Sequence, residues 1–337
     1  MAERTLTQRE LNRALLARQL LLERARLPIP RALERLGGIQ NQYAPNAYIR
    51  LWSCLDGFER DDLTRALERR SAIQGTLMRG TIHVVSRRDY WPLAVATREP
   101  QRAWLLRAWK LTDGELERQA DELRRLLADG PRRADELTAV TRTWDPRLGL
   151  VRMPPSGTWE RRRANLIEPA ERWVGPEDVD EDVALDHLVR RYLRAFGPAS
   201  RDDIAQWSGT KQRDLGPALE RLRLRRFRDE AGCELLDLPR APLPPADTPA
   251  PVRFLPTWDA VLLVHARRAA VLPEEYRPRI FPTRMPQSIG TFLVDGAVAG
   301  TWRYDAGHVR WEAFAKLDRS SARDVEAEAE RLSAFHT

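Results

Sequence analysis

Lysine and cysteine are scarce in this 337-residue chain, and long apolar runs are missing altogether. Each shortage excludes something. The two cysteines, Cys54 and Cys233, lie far apart without metal-ligand spacing, which argues against a zinc site and fits a reducing cytoplasm. No apolar run approaches the ~18 residues of a membrane span. The charged start MAERTLTQRE lacks the apolar stretch of an export signal, so no membrane partner is expected. Enzyme signatures are missing too: no phosphate loop, no GxSxG, no HExxH, no dinucleotide fingerprint. The five histidines, His83, His187, His265, His308 and His336, are scattered. The expectation is a protein without metal or cofactor.

What is present is positive charge. A net charge of +7 and an isoelectric point near 9.9 favour a polyanionic partner. Of 56 basic residues only Lys110, Lys211 and Lys316 are lysines. GC-rich coding produces that preference by itself, but not the excess of basic over acidic residues. The length suggests two to four compact units.

The chain reads as mainly α with some β. Thr7 and Glu10 form a capping box that opens a helix carrying Leu11, Leu15, Leu16 and Leu20. A second helix, near Ile29 to Leu36, stops at Gly37-Gly38, and a third starts after Pro45. Another spans about Arg60 to Arg69. TLMRGTIHVVS (76–86) alternates like one strand, and Ser86-Arg87-Arg88-Asp89 opens the next helix. Short helices followed by a strand pair make a winged helix. The plan recurs over 115–174, with LGLVRMPPSGTWERRR as the wing. It recurs more clearly over 183–238: a helix to Phe196, a short helix at DDIAQW, a turn at Ser208-Gly209, the helix PALERL, and a hairpin turning at Glu230 to Gly232. The expected divisions are 1–112, 113–180 and 181–238 for three tandem winged-helix (helix-turn-helix) units. A linker follows at 239–251, with six prolines in thirteen positions, and a β-rich domain with a final helix at 252–337. In that last part VRFLPTWDAVLLVHARRAAVLP and TFLVDGAVAGTWRY read as strands, the second with an Asp-Gly hairpin signal.

Two polar groups stand out. Gln40 and Gln42 sit in GGIQNQYAPNAYIRLW, between two apolar helices. Spacing i, i+2 puts both side chains on one side only where the backbone is extended. The pair either satisfies loose backbone groups at the helix ends or faces a ligand. The second set, Arg79, Thr81 and His83 in LMRGTIHVV, shares one face if the segment is a strand; that face is either ordinary half-exposed surface or directed at DNA. The basic runs Arg161–Arg163 and 221–228 are either solvated faces or phosphate contacts.

LLARQLLLERA, GGIQNQYAPNAYIRLW, LMRGTIHVVSRRD, VRMPPSGTWERRR, YLRAFGPASRDDIAQWSG, FRDEAGCELLDLP, FLPTWDAVLLVHARR and TFLVDGAVAGTWR together resemble the bacterial winged helix DNA-binding family that includes AlkZ-like and YcaQ-like DNA glycosylases. The resemblance runs through nearly the whole chain, in order. It implies three tandem winged-helix units with a C-terminal β-barrel. It also implies excision of bulky alkylated purines, unhooking of interstrand crosslinks, and self-resistance to DNA-alkylating antibiotics. The motif of AlkZ-like members is Gln-Φ-Gln with Φ aliphatic, so Gln40 and Gln42 fall on its two catalytic positions, and Asn41 departs from the middle one. Asn41, Asn46, Arg79, Thr81 and His83, with His265, Arg267 and Arg268 from the last domain, are the expected DNA-contacting residues.

The resulting expectation is a metal-free, monofunctional, monomeric glycosylase acting on duplex DNA with N7-alkylguanine or related alkylpurine lesions, cytoplasmic and nucleoid-associated when bound. Two rivals differ in class: a winged-helix DNA-binding protein or transcriptional regulator without chemistry, and a resistance protein that binds an adduct without releasing it.

Overall fold

The computed structural model describes residues 4–282 and 289–337. Strand β1 (Thr5–Leu6) leads into α1 (Gln8–Arg18), whose Thr7–Glu10 capping box forms as the sequence suggests. Helix α2 (Ile29–Leu36) ends at Gly37 in the left-handed region. Then come β2 (Ile39–Gln40), α3 (Pro45–Cys54), α4 (Arg60–Glu68), β3 (Ala72–Thr76), β4 (Ile82–Ser86) and α5 (Arg87–Trp109), the last capped by Ser86. TLMRGTIHVVS is therefore not one strand. The chain reverses at Arg79 and Gly80, both at positive φ (56° and 68°), with Leu77 and Met78 buried beneath the turn. Alternating polarity is equally satisfied by two paired strands.

The next stretch contributes α6 (Asp113–Leu126), β5 (Arg132–Arg133), α7 (Ala134–Thr138), β6 (Leu150–Arg152), β7 (Leu166–Pro169) and α8 (Ala170–Trp173). Its strands join those of the first stretch in one antiparallel six-stranded sheet, ordered β2-β4-β3-β6-β7-β5. The seam is the β3–β6 pairing of Gln74 with Arg152 and Gly75 with Val151.

Helix α9 (Glu181–Phe196) is the central strut, with Leu188, Val189, Tyr192 and Leu193 fully buried. It packs on α1, α2, α5 and α11. Helix α10 (Arg201–Ser208), a turn at Gly209-Thr210-Lys211, and α11 (Gln212–Arg221) follow, then the hairpin β8 (Arg225–Asp229) and β9 (Glu234–Asp237). Helix α11 runs through Pro217. The N-terminal strand β1 closes this hairpin by pairing parallel to β8.

Prolines 239–251 form no regular element but are pinned by helix α1. Arg9 Nε donates to Ala246 O at 2.9 Å, Arg13 Nε to Thr248 O at 2.7 Å, and Arg18 Nη2 to Pro242 O at 3.1 Å. Beyond lie β10 (Arg253–Leu255), α12 (Arg277–Ile280), β11 (Gly290–Val294), β12 (Ala297–Asp305), β13 (His308–Ala313) and α13 (Arg319–His336). The Asp295-Gly296 turn joins β11 to β12 as its sequence signals. Two expectations fail here. VRFLPTWDAVLLVHARRAAVLP is strand only at its start and turns through 3₁₀ segments at 260–262 and 264–269: Asp259 takes the N–H of Val261, and its carboxylate pairs with buried Arg50 at 2.9 Å. The sheet is no closed barrel among the described residues but an open antiparallel meander, β10-β11-β12-β13. It is sealed instead by helices: Phe254, Phe292 and Trp302 share a core with Trp52 of α3 and Leu332 of α13.

Candidate active site and DNA interface

Gln40 and Gln42 lie where β2 breaks off, and one hairpin holds both. Gln40 is 8% exposed and opposes His83 across the β2–β4 pair. Its Oε1 accepts from Arg79 Nη2 at 2.7 Å. Gln42 is exposed, and its Oε1 accepts the backbone N–H of Ile82 at 2.8 Å. Strand pairing ends one bond earlier, where Asn41 N–H donates to Ile82 O at 2.7 Å. The Gln42 side chain thus stands in for the next rung of the ladder. Each amide therefore turns its oxygen toward the 79–82 segment, because an N–H placed there would meet another N–H. Among the described residues nothing bonds either Nε2 group.

Asn41 faces away from the pair. It is 2% exposed, and its Oδ1 accepts the N–H of Ala47 in the first turn of α3 at 3.2 Å. No residue at the N-terminus of α3 supplies a side-chain cap, so Asn41 serves as one from a distance. Asn46 is buried too, accepting from Thr257 Oγ1 at 3.1 Å, and among the described residues its Nδ2 has no partner.

Arg79, Thr81 and His83 do not share a strand face, since Arg79 sits in the turn. Thr81 Oγ1 donates back to Met78 O at 3.0 Å. His83 is 2% exposed, and its Nδ1 lies 3.0 Å from Thr81 O, so the ring carries its proton there and leaves Nε2 as an acceptor. Burial, assisted by the Arg79 charge, pushes its pKa down to about 3. Arg79 bonds Trp207 O as well as Gln40, and burial lowers its pKa to about 10, so it stays charged at neutral pH.

None of the three residues named from the last domain bonds the glutamine loop, although His265 is near enough to feel the Arg79 charge. His265 is buried against Phe196, with ring centroids 4.8 Å apart, and its Nδ1 lies 3.4 Å from the Tyr192 hydroxyl. Arg268 pairs with Asp203 and Asp229, and Arg267 with Glu274. The first two brace the α10 hairpin region.

Two features escaped the sequence. Tyr43, next to Gln42 and 46% exposed, accepts from Arg162 Nη1 at 2.6 Å, and the Arg162 guanidinium also lies 5.7 Å from the Trp159 ring. The arginine run 161–163 thereby reaches the glutamine loop; the run itself was the signal. Beside Arg79 opens a cleft of about 760 Å³ walled by Tyr90, Trp104 and Trp144, with Lys211 and Arg107 on its lining. Neither of these two bases has a carboxylate partner among the described residues. Trp104 is 57% exposed. The walls come from three distant segments, so no local pattern announces them.

Comparison with known proteins decides the family. A family model described as "DNA glycosylase AlkZ-like" matches residues 33–335. The chain belongs to the AlkZ-like DNA glycosylase family. Like that family, it is a DNA glycosylase, and DNA is its substrate. The structure of the Streptomyces sahachiroi DNA glycosylase AlkZ is similar, with a TM-score of 0.79 at 19% identity, covering 98% of this chain and 97% of that one. At this identity the likeness concerns the fold. Among curated proteins, none matches the sequence significantly. AlkZ-like membership thus places a DNA-acting glycosylase on a chain whose glutamine loop, hairpin and cleft adjoin one another. No helix of the described residues is long and apolar enough to cross a membrane.

Proposed function

We propose that the protein is a monofunctional glycosylase that hydrolyses the N-glycosidic bond of bulky N7-alkylguanine, or a related alkylpurine, in duplex DNA, with Gln40 and Gln42 as its catalytic residues. The observation that carries this reading is the pair of amides pinned by their oxygens to one hairpin, with both N–H₂ groups left for a ligand.

Neutral amides suit such a substrate. Alkylation at N7 makes guanine cationic, so the base departs without a strong acid. The bond from C1′ to N9 breaks, its electron pair neutralises the purine, and a water oxygen bonds C1′ and releases a proton to solvent. What the protein must supply is a placed water and dipoles oriented to the growing positive charge on the sugar. Each Oε1 keeps a second lone pair for that water, and each Nε2 can hold a sugar or phosphate oxygen. His83 Nε2, on the strand opposite Gln40, is a further neutral acceptor.

The rest of the chain is read as DNA-binding scaffold. The helix groups with their hairpins, at 1–112, 113–180 and 181–238, serve as three tandem winged helices, with 252–337 as a β-rich domain after the linker that shares its core with α3. Arg162 beside Tyr43 contacts phosphate next to the lesion. The aromatic cleft supports a bulky substituent on the base, and on this reading interstrand crosslinks and antibiotic adducts are substrates too. The protein acts as a monomer on nucleoid DNA.

A duplex carrying one N7-alkylguanine, treated with alkali after incubation, reports abasic sites. Wild-type protein yields strand breaks there, and the Q40A/Q42A variant yields them about 10²–10³-fold more slowly. A wild-type rate from that double variant sinks the catalytic assignment. Binding without any released base would leave a DNA-binding protein.

A further inference from the structure

We infer that Arg79 is a positioning residue for Gln40, acting through the amide and not through DNA. The inference rests on the reading of Gln40 as catalytic. Arg79 Nη2 donates to Gln40 Oε1 at 2.7 Å, and its Nη1 donates to the carbonyl of Trp207 near the end of α10. Among the described residues no carboxylate pairs with it. A half-buried guanidinium on the wall of the cleft, held by two neutral carbonyls, adds little stability, because partial desolvation of the charge offsets what such contacts return.

The backbone adds a second cost. Arg79 holds φ at +56°, in the left-handed region that strains a non-glycine residue. The surrounding chain is built to keep it there. Gly209, at φ +78°, begins the α10–α11 turn directly against Arg79, and a Cβ at that position would lie 3.3 Å from both its N and its Cα. Backbone strain, a half-buried charge and close approach meet on one residue.

Their joint product is the orientation of an amide. The terminal amide of glutamine turns freely about its last bond, and its two ends are nearly the same size. A cation on one side removes the ambiguity: Oε1 faces Arg79, and Nε2 faces away. The same cation polarises the amide and strengthens Nε2–H as a donor. The bond to Trp207 ties this orientation to the α10–α11 helix pair, so docking of that pair on DNA and presentation of Gln40 are mechanically joined.

The test is a double-mutant cycle on the intact protein. Excision from an N7-methylguanine duplex is measured in single turnover at saturating protein, and affinity by anisotropy on the same duplex without the lesion. R79A is expected to lose about 10²-fold in rate, the usual cost of a misplaced catalytic group, with affinity unchanged. Q40A/R79A should be no slower than Q40A, because Arg79 acts only through Gln40. R79K, whose single nitrogen lacks the planar fork that spans both acceptors, should fall between, and G209A, which displaces the Arg79 backbone, should lower the rate in the same direction. Rate losses that multiply in the double variant overturn the inference, as does an R79A defect confined to affinity. Should R79A not fold, R79K and G209A decide, and wild-type rates from both overturn the inference. A wild-type rate from Q40A alone would overturn the catalytic reading, and this inference with it.

Discussion

The side-chain oxygen of Asn41 accepts the backbone N–H of Ala47 at 3.2 Å, across the bend that separates the glutamine loop from helix α3. The bond explains why an amide stands where the AlkZ-like motif has an aliphatic residue. Helix α3 begins Ala44-Pro45-Asn46, with no side chain of its own to cap it. Asn41 supplies the acceptor and, being nearly sealed from water, gives the loop one defined fold.

Removing that oxygen should cost what a lost helix cap costs. N41A is expected to lower stability by about 1 kcal/mol, read as a shift of the urea midpoint. N41L should recover part of the loss by burying apolar surface. If neither variant moves the midpoint, the cap contributes nothing.

The orientation of Gln40 yields a sharper test than its deletion. Q40E keeps an oxygen facing Arg79 and turns that bond into an ion pair, but it removes the N–H₂ group. Stability should hold or rise, while excision falls by about 10²–10³-fold, as for loss of a donor. Wild-type excision by Q40E would show that the N–H₂ group is dispensable.

The aromatic cleft predicts a substrate split. W104A and W144A should excise N7-methylguanine at the wild-type rate but lose activity on lesions with a polycyclic substituent, because base–aromatic stacking is worth about 1–3 kcal/mol per ring. That corresponds to roughly a 5- to 150-fold drop at 1.4 kcal/mol per decade. Equal losses on both lesions would place the tryptophans in scaffold and not in recognition.

Acid should destabilise the protein from an unusually high pH. His83 is held neutral with its pKa near 3, chiefly by burial, and His265 is lowered well below its ordinary value for the same reason. An unfolded histidine titrates near 6.5. Between about pH 6.5 and 3 the unfolded chain therefore binds protons that the native protein refuses, and stability rises with pH across that window. It is fully present above 6.5 and is lost on acidification below it, at up to about 1.4 kcal/mol per pH unit for His83. Urea midpoints at pH 7.5 and 5.0 measure the slope, which H83Q should reduce. Equal midpoints at the two pH values would contradict the neutral buried state.

The buried pair Arg18–Asp237 should be the most sensitive point of the scaffold. Both side chains are wholly enclosed, joined at 2.7 and 2.9 Å, with Arg18 also donating to Leu193 O and Pro242 O. D237A leaves an uncompensated buried cation, expected to cost about 3–5 kcal/mol. Thermal unfolding that does not shift would refute this.

The helices were largely legible because their signals are local. Thr7–Glu10, Gly37, Ser86 and Ser200–Asp203 act within a turn of themselves, and the helix boundaries observed follow them. Where one residue pattern suits two backbones, reading failed. TLMRGTIHVVS alternates whether it is one strand or two, and only the reversal at Arg79 decides. LLVHARRAA has strand composition, but Asp259 finds Arg50, more than two hundred residues away, and the segment turns instead. Sheet closure is likewise a matter of edges, and α13 and α3 cover the sheet that a barrel would have closed on itself.

The sequence by itself determined the helical scaffold, the basic balance and the kinship, down to the two glutamines as the residues to examine. These are properties of composition, spacing and short-range bonding, written in neighbouring residues. Only the tertiary structure decided how those two amides are oriented. Their oxygens are claimed by Arg79 and Ile82, forty residues along the chain, and the amide hydrogens are what remains. An amide has no orientation of its own. It takes one from the donors that folding brings against it.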